Sequence, residues 1–433
     1  MPKMLKSIVI WAITLEAKLI LRKYRPRVIA VTGSVGKTSA KDAIYSVFSQ
    51  FFFVRKSEKS FNSEIGLPLT IIGAPNGWHN PFVWFANLLK GLFLIAFRTN
   101  YPKWLVLEIG ADRPGDIEKI SKWLVSDMAV ITRLAKVPVH VEFFASPEAV
   151  VAEKSKILNT LKDGGILILN ADDEDVLTLK ESYRGEAFGV GFIKGASLRA
   201  SHYKINYAKR DGQKIPQGIT FKVDHESNSL PVDFDGSLGR QHVYPLLFAL
   251  AAAKLQNVNL VDAALALRRH HGPNGRMKLI SGIKGSVIID DTYNSSPVAV
   301  EEALQTLKDI ETGGKKAAIL GDMLELGKYS TEEHKKAGAL AAQVCQLLIT
   351  VGVRARDIAL GALSAGMDEK NIFQYETAAD ANREMDNLIK EKDAILVKGS
   401  QGIRLEKVVE EIMAEPARAK ELLARQDNEW KNR

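Results

Sequence analysis

The stretch VIAVTGSVGKTSAKDAIYSVF at residues 28–48 places a turn containing Gly33 and Gly36 between a short apolar run and a helical pattern. Strand, glycine turn, lysine, threonine and helix in this order bind phosphate, because backbone N–H groups and the helix N-terminus point at the anion. Lys37 would reach the outer phosphates and Thr38 could bind Mg²⁺. Val31 occupies the first glycine position of the GxxxxGK[ST] pattern, so the match is partial. The predicted phosphate-binding residues are Gly33, Ser34, Val35, Gly36, Lys37, Thr38 and Ser39.

The length and composition of the chain indicate how many domains it can form and in which redox environment it works. With 433 residues, of which 46% are hydrophobic and 25% are charged, the chain can form two or three domains, each with its own core. Cys345 is the single cysteine, which excludes an internal disulfide and any zinc site built from several cysteines. A reducing, cytoplasmic location fits this composition.

Positive charge is concentrated at the N-terminus. Seven Lys and Arg residues against Glu16 alone give the first 27 residues six of the eight net positive charges. The remainder of the chain is close to neutral, whereas a nucleic-acid-binding protein spreads basic side chains over a folded face. We therefore predict no nucleic-acid partner.

Two apolar stretches are unusual for an enzyme in water. SIVIWAITLEAKLIL (7–21) contains Glu16 and Lys18, and FVWFANLLKGLFLIAF (82–97) contains one lysine. The first is too short to span a membrane and lacks a cleavage site after its apolar run. Each stretch either packs into the protein or a dimer partner, or lies on an anionic membrane surface. The basic apolar segment 1–27 and the stretch 82–97 are therefore the candidates for peripheral contact with the inner face of the membrane, and the oligomeric state stays open.

The rest of the chain alternates short apolar runs with helical patterns, as in parallel sheets covered by helices. The interval 200–236 breaks this alternation and predicts a small antiparallel part, and HHGPNGR (270–276) reads as a linker. We expect an α/β fold with a central domain at 28–275 and a second α/β domain at 276–433. The predicted strands are 104–110, 127–132, 165–170, 286–291, 316–322, 347–352 and 393–399.

Polar residues follow several of these runs, where α/β proteins place their chemistry. They are Glu108, Asn170, the pair Asp290 and Asp291, and Asp322. Acidic groups near a triphosphate hold Mg²⁺, although a single acid at a strand end can equally be a helix N-cap.

Taken together, the motifs resemble those of the Mur ligase family. TGSVGKTS, FNSEIGLPLTI, LEIGADRPGDI, LNADDE, GPNGRM, IIDDTYNSSP, LGDMLELG, HKKAG and VKGSQGIRLE occur in the family's order between about residues 28 and 412. They look most like the MurF branch, which adds D-alanyl-D-alanine to a UDP-N-acetylmuramoyl tripeptide. The resemblance implies a central P-loop ATPase domain with a parallel sheet, a C-terminal Rossmann-like domain, and an ATP-dependent peptide ligase of peptidoglycan precursor synthesis. Two alternatives remain: a Mur-like ligase for a lipid-linked or non-UDP precursor with another amine donor, and a nucleotide-binding scaffold without activity.

The resemblance also implies roles for residues around the phosphates. Thr38 and Glu108 would bind one Mg²⁺, and His140 matches a metal-associated histidine. Lys154 aligns with a lysine that the family carbamylates to bind a second Mg²⁺, but neighbouring Lys156 leaves that alignment open. The other ATP contacts would be Asn170 near adenine, Arg276 near the γ-phosphate and Asp291 near the ribose or phosphates.

Five further positions match substrate-facing motifs of the family. Asn62 falls in a substrate loop, and the C-terminal positions would lie near the dipeptide. Asp322 could instead cap a helix, and Lys398 could pair with a neighbour. The predicted substrate residues are Asn62, Asp322, Glu325, Lys398 and Ser400.

Three departures from the family pattern stand out. Pro245 replaces an asparagine that meets adenine, and Ser296 replaces the second asparagine of DDTYNSSP. Only 27 residues precede the first strand, where the MurF branch carries a domain for the UDP end of the substrate. The expectation is that this domain is absent, so that another part such as 82–97 binds the uridine end or the substrate lacks UDP.

Overall fold

The structure is a computed structural model that describes residues 3–58, 61–78, 80–210, 213–427 and 430. Within this part of the chain the strands form two sheets. The first sheet has the order β2-β3-β1-β4-β5-β6-β7-β8-β9, parallel as far as β7 and antiparallel beyond it. Its strands are β1 (Arg27–Thr32), β2 (Val54–Lys56), β3 (Trp104–Glu108), β4 (Ser126–Ile131), β5 (Leu161–Asn170), β6 (Glu186–Gly191), β7 (Leu198–Arg210), β8 (Gln213–His225) and β9 (Asn228–Asp235).

The second sheet has the order β10-β11-β15-β12-β13-β14, and its edge strand β10 is antiparallel to β11 while the other pairs are parallel. Its strands are β10 (Lys278–Ser281), β11 (Val287–Asp291), β12 (Lys316–Gly321), β13 (Leu347–Val351), β14 (Ile372–Tyr375) and β15 (Ala394–Lys398).

Helices cover both sheets. Those before β10 are α1 (Lys3–Tyr24), α2 (Lys37–Phe51), α3 (Gly66–Ile72), α4 (Pro81–Ala96), α5 (Asp116–Ser121), α6 (Pro147–Ser155), α7 (Glu174–Ser182), α8 (Val243–Lys254) and α9 (Leu260–Leu267). Those after it are α10 (Pro297–Asp309), α11 (Ser330–Val344), α12 (Arg356–Ser364), α13 (Ala378–Asn382), α14 (Met385–Leu388), α15 (Glu406–Ile412) and α16 (Ala419–Leu422).

Strand β1 shows why its sequence is a continuous apolar run. Ile29 and Val31 pack in one hydrophobic cluster with α2 and α8, whereas Val28 and Ala30 pack in another with α1, α3 and α4. Because successive side chains of a strand point to opposite faces, a strand covered on both sides must be apolar at every position.

The predicted α/β class is confirmed, and the predicted strands appear within one or two residues at most ends. The antiparallel part predicted at 200–236 is the meander β7-β8-β9. Residues 270–276 lie between α9 and β10 and adopt neither helix nor strand. The domain limits at 27/28 and 275/276 stay predictions. For comparison, β1 begins at Arg27 and the first strand of the second sheet begins at Lys278.

The two unusual apolar stretches form α1 and α4, which pack against each other. The side chain of Lys23 donates hydrogen bonds to the carbonyl oxygens of Leu94 (2.9 Å), Ile95 (2.9 Å) and Phe97 (2.6 Å), so it caps the end of α4. In the described part of the chain, no helix combines the length and apolarity that crossing a membrane requires.

Candidate active site

The phosphate cradle lies between β1 and α2. Gly33 and Gly36 have φ angles of 145° and 86°, in the region that favours glycine. A Cβ atom on Gly33 would lie 2.0 Å from Thr132 Oγ1, so a side chain has no room there. The loop is therefore held close to the end of β4, with its N–H groups at the start of a 15-residue helix.

Lys37 is the first residue of α2, and its ammonium group folds back over the loop. Lys37 Nζ donates a hydrogen bond to the carbonyl oxygen of Gly33 at 2.9 Å. Burial lowers the pKa of Lys37, and the nearby Glu108 carboxylate acts in the opposite direction. A phosphate group in the cradle would give this half-buried cation a strong partner.

A cavity of about 520 Å³ opens from the cradle and is lined by residues of both sheets. It brings together most of the residues predicted from the sequence. Gly33, Asp322, Glu325 and Ser400 are not in its lining. The predicted residues in the lining are Ser34, Val35, Gly36, Lys37, Thr38, Ser39, Asn62, Glu108, His140, Lys154, Asn170, Arg276, Asp291 and Lys398.

Glu108, at the end of β3, is only 1% exposed in the floor of the cavity. Asn62 Nδ2 donates a long hydrogen bond of 3.5 Å to its Oε1. Its Oε2 is buried without a hydrogen bond, and Lys41 Nζ lies 3.8 Å away. A buried carboxylate oxygen that lacks a hydrogen bond fits a divalent cation. Among the residues that the structure describes, no group of three or more His, Cys, Asp or Glu side chains forms a ready metal site.

Lys154 and Lys156 have different surroundings. Lys154 is 3% exposed and lines the cavity, and burial together with the Lys37 cation lowers its pKa to about 7. Lys156 instead pairs with Glu118 (2.8 Å) and Glu153 (2.9 Å), and these carboxylates raise its pKa. Of these two lysines, only Lys154 combines access to the cavity with a lowered pKa, so that a substantial fraction of its amine is neutral near pH 7.

His140 connects the two halves of the protein. It has a φ of 71°, and its Nδ1 lies 2.6 Å from Glu325 Oε2 while its Nε2 lies 3.4 Å from Asp112 Oδ1. The histidine lowers the pKa of the Glu325 carboxyl group. Glu325 therefore lies at the edge of the site through its contact with His140, although it does not line the cavity.

On the opposite side of the cavity, Asp291 at the end of β11 pairs with Lys398 at the end of β15. Lys398 Nζ lies 2.6 Å from Asp291 Oδ2 and donates a further hydrogen bond to the carbonyl oxygen of Asn294 at 2.9 Å. This contact is the pairing with a neighbour that was predicted from the sequence as the alternative role of Lys398. The Arg276 guanidinium lies over the Tyr293 ring at 4.4 Å from its centroid, which orients it at the linker.

Asp322 and Ser400 hold backbone groups in the second sheet. Asp322 Oδ1 accepts a hydrogen bond from the N–H of Ala355 (2.7 Å) at the start of α12, as its alternative role as a helix cap requires. Ser400 Oγ accepts one from the N–H of Leu324 (2.9 Å). Neither side chain lies in the cavity lining, so a direct role at the dipeptide stays a prediction without geometric support.

Asn170 ends β5 and lines the cavity, and its Oδ1 accepts a hydrogen bond from the N–H of Asp172 at 3.0 Å. Beside it, Tyr244 donates a hydrogen bond to Asp172 Oδ2 at 2.8 Å. Pro245, one of the departures from the family pattern, is the next residue and also lines the cavity.

An ion pair and a buried lysine at the site were not predicted from the sequence. Arg133, after β4, pairs with Glu302 on α10 and so joins the two halves beside the cradle. Lys41 follows Lys37 by one helical turn and is 1% exposed, close to Glu108. The sequence GKTSAK could have indicated Lys41, since residues four apart share one face of a helix. The Arg133–Glu302 pair depends on how the two sheets meet, which no local pattern reports.

A cradle for phosphates facing a second α/β unit across a cavity is the arrangement of a nucleotide-dependent ligase. The family model of the Mur ligase middle domain matches residues 88–253, and that of the Mur ligase glutamate ligase domain matches residues 275–401. A UDP-N-acetylmuramoyl-tripeptide–D-alanyl-D-alanine ligase of Bacillus subtilis is 31% identical over 401 residues, or 92% of this chain and 79% of the relative. The enzyme of the same name from Mycobacterium leprae is 26% identical over 87% of this chain and 72% of its own length.

Solved structures agree in fold. MurF from Acinetobacter baumannii superposes with a TM-score of 0.75 at 23% identity, over 92% of this chain and 79% of that one. MurF ligase from Thermotoga maritima in complex with ADP gives a TM-score of 0.73 at 24% identity, over 93% and 83% of the two chains. The chain belongs to the Mur ligase family, and the relatives named here belong to its MurF branch.

Proposed function

We propose that this protein is an ATP-dependent ligase that joins D-alanyl-D-alanine to the terminal carboxylate of a UDP-N-acetylmuramoyl tripeptide. One observation carries the proposal: a single cavity combines the cradle, Glu108 and Lys154 with Arg276, Asp291 and Lys398 from the other half of the chain. The names of relatives that align with 87% and 92% of the chain support the choice of substrates.

The chemistry requires activation, because a free carboxylate is a poor electrophile. The carboxylate oxygen attacks the γ-phosphorus of ATP, and the bond between that phosphorus and the oxygen bridging to the β-phosphate breaks. The products of this step are ADP and an acyl phosphate. The dipeptide amine then attacks the acyl carbon, loses a proton, and expels inorganic phosphate from the tetrahedral intermediate. Lys37 and Arg276 would stabilise negative charge on the phosphates, while the cavity holds the reacting groups together.

The residues around Glu108 fit Mg²⁺. Thr38 and Glu108 would hold one ion, and His140 with a carbamylated Lys154 would hold a second. Bound Mg²⁺ neutralises charge on the transferred phosphoryl group. Thr38 and Glu108 line the same cavity, and Oε2 of Glu108 is buried without a hydrogen bond, which supports the first of these assignments.

Carbamylation of Lys154 needs a neutral amine. Its nitrogen attacks the carbon of CO₂, and the nitrogen loses a proton as the carbamate anion forms. Lowering its pKa to about 7 makes a large fraction of the amine neutral at physiological pH. The Lys37 cation disfavours the positively charged form of Lys154. The same cation would attract the carbamate anion.

Among the substrate residues, Asn62 in the substrate loop and Lys398 near the dipeptide are the assignments with the best support, because both line the cavity. Glu325 would act through His140. Asp322 and Ser400 would position the backbone next to Glu325 and next to Lys398 at the end of β15.

We propose a cytoplasmic reaction with the protein held peripherally at the membrane by segments 1–27 and 82–97. The exposed apolar side chains of α1 and α4 support this part of the proposal.

The test is phosphate release with ATP, Mg²⁺, UDP-N-acetylmuramoyl tripeptide and D-alanyl-D-alanine, with each component omitted in turn and the product identified by mass. We expect release only in the complete mixture and at least a hundred-fold loss in Lys37→Ala, since such charge stabilisation contributes about 10²–10³ in rate. Release without the dipeptide, or none in the complete mixture, would overturn the proposal.

The two neighbouring lysines provide a matched pair for the carbamate. Lys154→Ala should lose most activity, whereas Lys156→Ala should keep it, because the Lys156 ammonium group is bound to two carboxylates outside the cavity lining. Mass spectrometry after trapping of carbamates should locate the modification on Lys154. Equal losses in the two variants would contradict the assignment.

A further inference from the structure

The outer sides of α1 and α4 carry a cluster of exposed apolar side chains, which we call the apolar face. Trp11 is 67% exposed, Phe82 82% and Phe85 62%, and the other members lie between 37% and 55%. The apolar face consists of Ile8, Trp11, Leu15 and Leu19 of α1 and Phe82, Phe85, Leu89, Leu92 and Phe93 of α4.

The two helices bury one side and expose the other at helical spacing. In α1, Val9, Ile13, Ala17 and Ile20 pack into the hydrophobic cluster against β1, while the exposed positions 8, 11, 15 and 19 recur every three or four residues. In α4, Trp84, Asn87, Gly91 and Leu94 are buried. Packing into the protein therefore buries one side of each helix and leaves the apolar side chains on the other side exposed.

Polar side chains are nearly absent from the exposed side. Every exposed side chain between residues 8 and 19 is apolar, and Lys90 is the single exposed polar side chain of α4. Isolated apolar residues are normal on protein surfaces, but a contiguous set of this kind marks an interaction site.

The charge around the apolar face is positive. Trp11, Leu15, Lys18 and Arg22 follow each other at intervals of four, three and four residues, so two cations continue the apolar stripe of α1. Helix α4 contains no acidic residue, and the only one in α1, Glu16, is 6% exposed and faces Gly91. Apolar side chains flanked by Lys and Arg match a lipid surface with anionic headgroups.

We propose that the apolar face docks onto an anionic lipid surface, with Trp11, Phe82 and Phe85 in the boundary between headgroups and acyl chains. Lys18 and Arg22 then lie at the headgroup phosphates, whereas the Lys90 ammonium group donates a hydrogen bond to the carbonyl oxygen of Gly73 within the protein. This inference rests on the membrane contact of the proposed function and not on the ligase reaction. A second copy of the chain is a poorer occupant, because its own apolar face carries cations and no exposed acidic side chain on α1 or α4 that could pair with them.

Docking would place the active-site cavity beside the lipid. Trp78 lines the cavity and is 47% exposed, three residues before α4 begins. Trp84 Nε1 donates a hydrogen bond to the carbonyl oxygen of Trp78 at 3.1 Å, which ties this rim of the cavity to the helix.

The test is co-flotation of the full chain with vesicles of phosphatidylglycerol and phosphatidylethanolamine, compared with vesicles of phosphatidylcholine alone. We expect binding to the anionic vesicles that weakens with salt. Trp11→Ser/Phe85→Ser should reduce the binding at least ten-fold, since two large aromatic side chains leave the boundary. Val353→Ser/Leu360→Ser is the matched control: it removes residues that are 67% and 51% exposed on the other half of the chain, and should bind as the wild type does.

A second variant keeps the proposal testable if the first one folds poorly. Lys18→Gln/Arg22→Gln leaves the apolar side chains in place and should weaken binding to anionic vesicles about five-fold for each cation, with no change on phosphatidylcholine. Ligase activity in vesicle-free solution should equal that of the wild type in Lys18→Gln/Arg22→Gln and in Val353→Ser/Leu360→Ser, so loss of docking and loss of the proposed reaction are separate readouts.

Three outcomes would overturn the inference. One is no flotation of the wild type with anionic vesicles, and another is equal binding to both vesicle types. The third is a dimer in sedimentation that Trp11→Ser/Phe85→Ser dissociates while no vesicle is bound, which would assign the apolar face to a second copy.

Discussion

Helices α4 and α8 are both apolar over most of their length, yet the protein treats them in opposite ways. Helix α8 (VYPLLFALAAAK) buries ten of its twelve residues beneath the first sheet. Helix α4 (PFVWFANLLKGLFLIA) buries only four of sixteen. A helix that is apolar all round normally lies inside a core or in lipid, and α8 follows this rule within the protein itself. Composition alone therefore does not determine where a helix lies, and α4 is incompletely covered by its own chain.

A titratable group beside each of the two helices responds to pH in the opposite direction from the other. His242 precedes α8, and burial lowers its pKa to about 4. Glu16 packs against α4 at Gly91, and burial raises its pKa to about 7. Burial disfavours the charged form in both cases, so acid should destabilise the region around α8 while base should destabilise the contact between α1 and α4.

The largest expected effect is the difference in stability between two leucine-to-alanine variants, one in α8 and one in α4. Leu247→Ala in α8 removes a fully buried side chain and should lower the free energy of unfolding by about 2–5 kcal/mol. Leu92→Ala in α4, where the side chain is 55% exposed, should change it by less than about 0.5 kcal/mol. Urea unfolding of both variants measures the difference, and similar losses would show that α4 is covered in solution.

The next effect is the acid response near α8. His242 and His270 both flank the Phe234 ring, with centroid separations of 5.3 and 5.6 Å, and both have a pKa of about 4. The unfolded chain binds protons at these histidines near pH 6.5 but the folded chain does not, so stability should fall as the pH drops from 6.5 to 4. The loss is at most about 3 kcal/mol for each histidine.

His270→Asn isolates this response, since its amide can replace the contact between His270 Nδ1 and Ser46 Oγ at 2.9 Å. The variant should be less stable at pH 7 but should show a flatter dependence of unfolding free energy on pH between 6.5 and 4. An unchanged slope would exclude His270 as a source of the acid response.

The smallest expected effect has the opposite sign and involves Glu16. Its folded pKa of about 7 lies above the ordinary value of 4.5, so its contribution is complete below pH 4.5 and is lost as the pH rises to 7. The loss should be about 2 kcal/mol or less, because α1 can separate locally from α4 and admit water. Glu16→Gln should remove this pH dependence and stabilise the protein at pH 8. Hydrogen exchange in α1 and α4 is the direct measurement, and equal protection of wild type and variant at pH 8 would refute the prediction.

Much of the first sheet and the cradle could be predicted because the relevant signals are local. The run VIAVTG followed by GKTS contains the strand, the two glycines with positive φ and the first turn of α2 within a dozen residues. The antiparallel meander at 198–235 was also readable, since alternation of polar and apolar residues reports a strand exposed on one face.

Other features depend on contacts between distant segments, which no local pattern reports. The alignment left Lys154 and Lys156 as alternatives, and only packing shows that one enters the cavity while the other meets Glu118 and Glu153. The Arg133–Glu302 pair joins residues 169 positions apart. For α1 and α4, the composition indicated two unusual stretches but could not tell which side of each helix would be buried.

The contact between His140 and Glu325 makes the two halves of the chain a single thermodynamic system. The Nδ1 atom of the histidine lies 2.6 Å from a carboxylate that belongs to the other sheet. A cation that takes this nitrogen must either share it with Glu325 or displace that residue. Because linkage is reciprocal, a cation that bound this nitrogen better after the halves separate would favour their separation, and separation would strengthen its binding by the same coupling free energy.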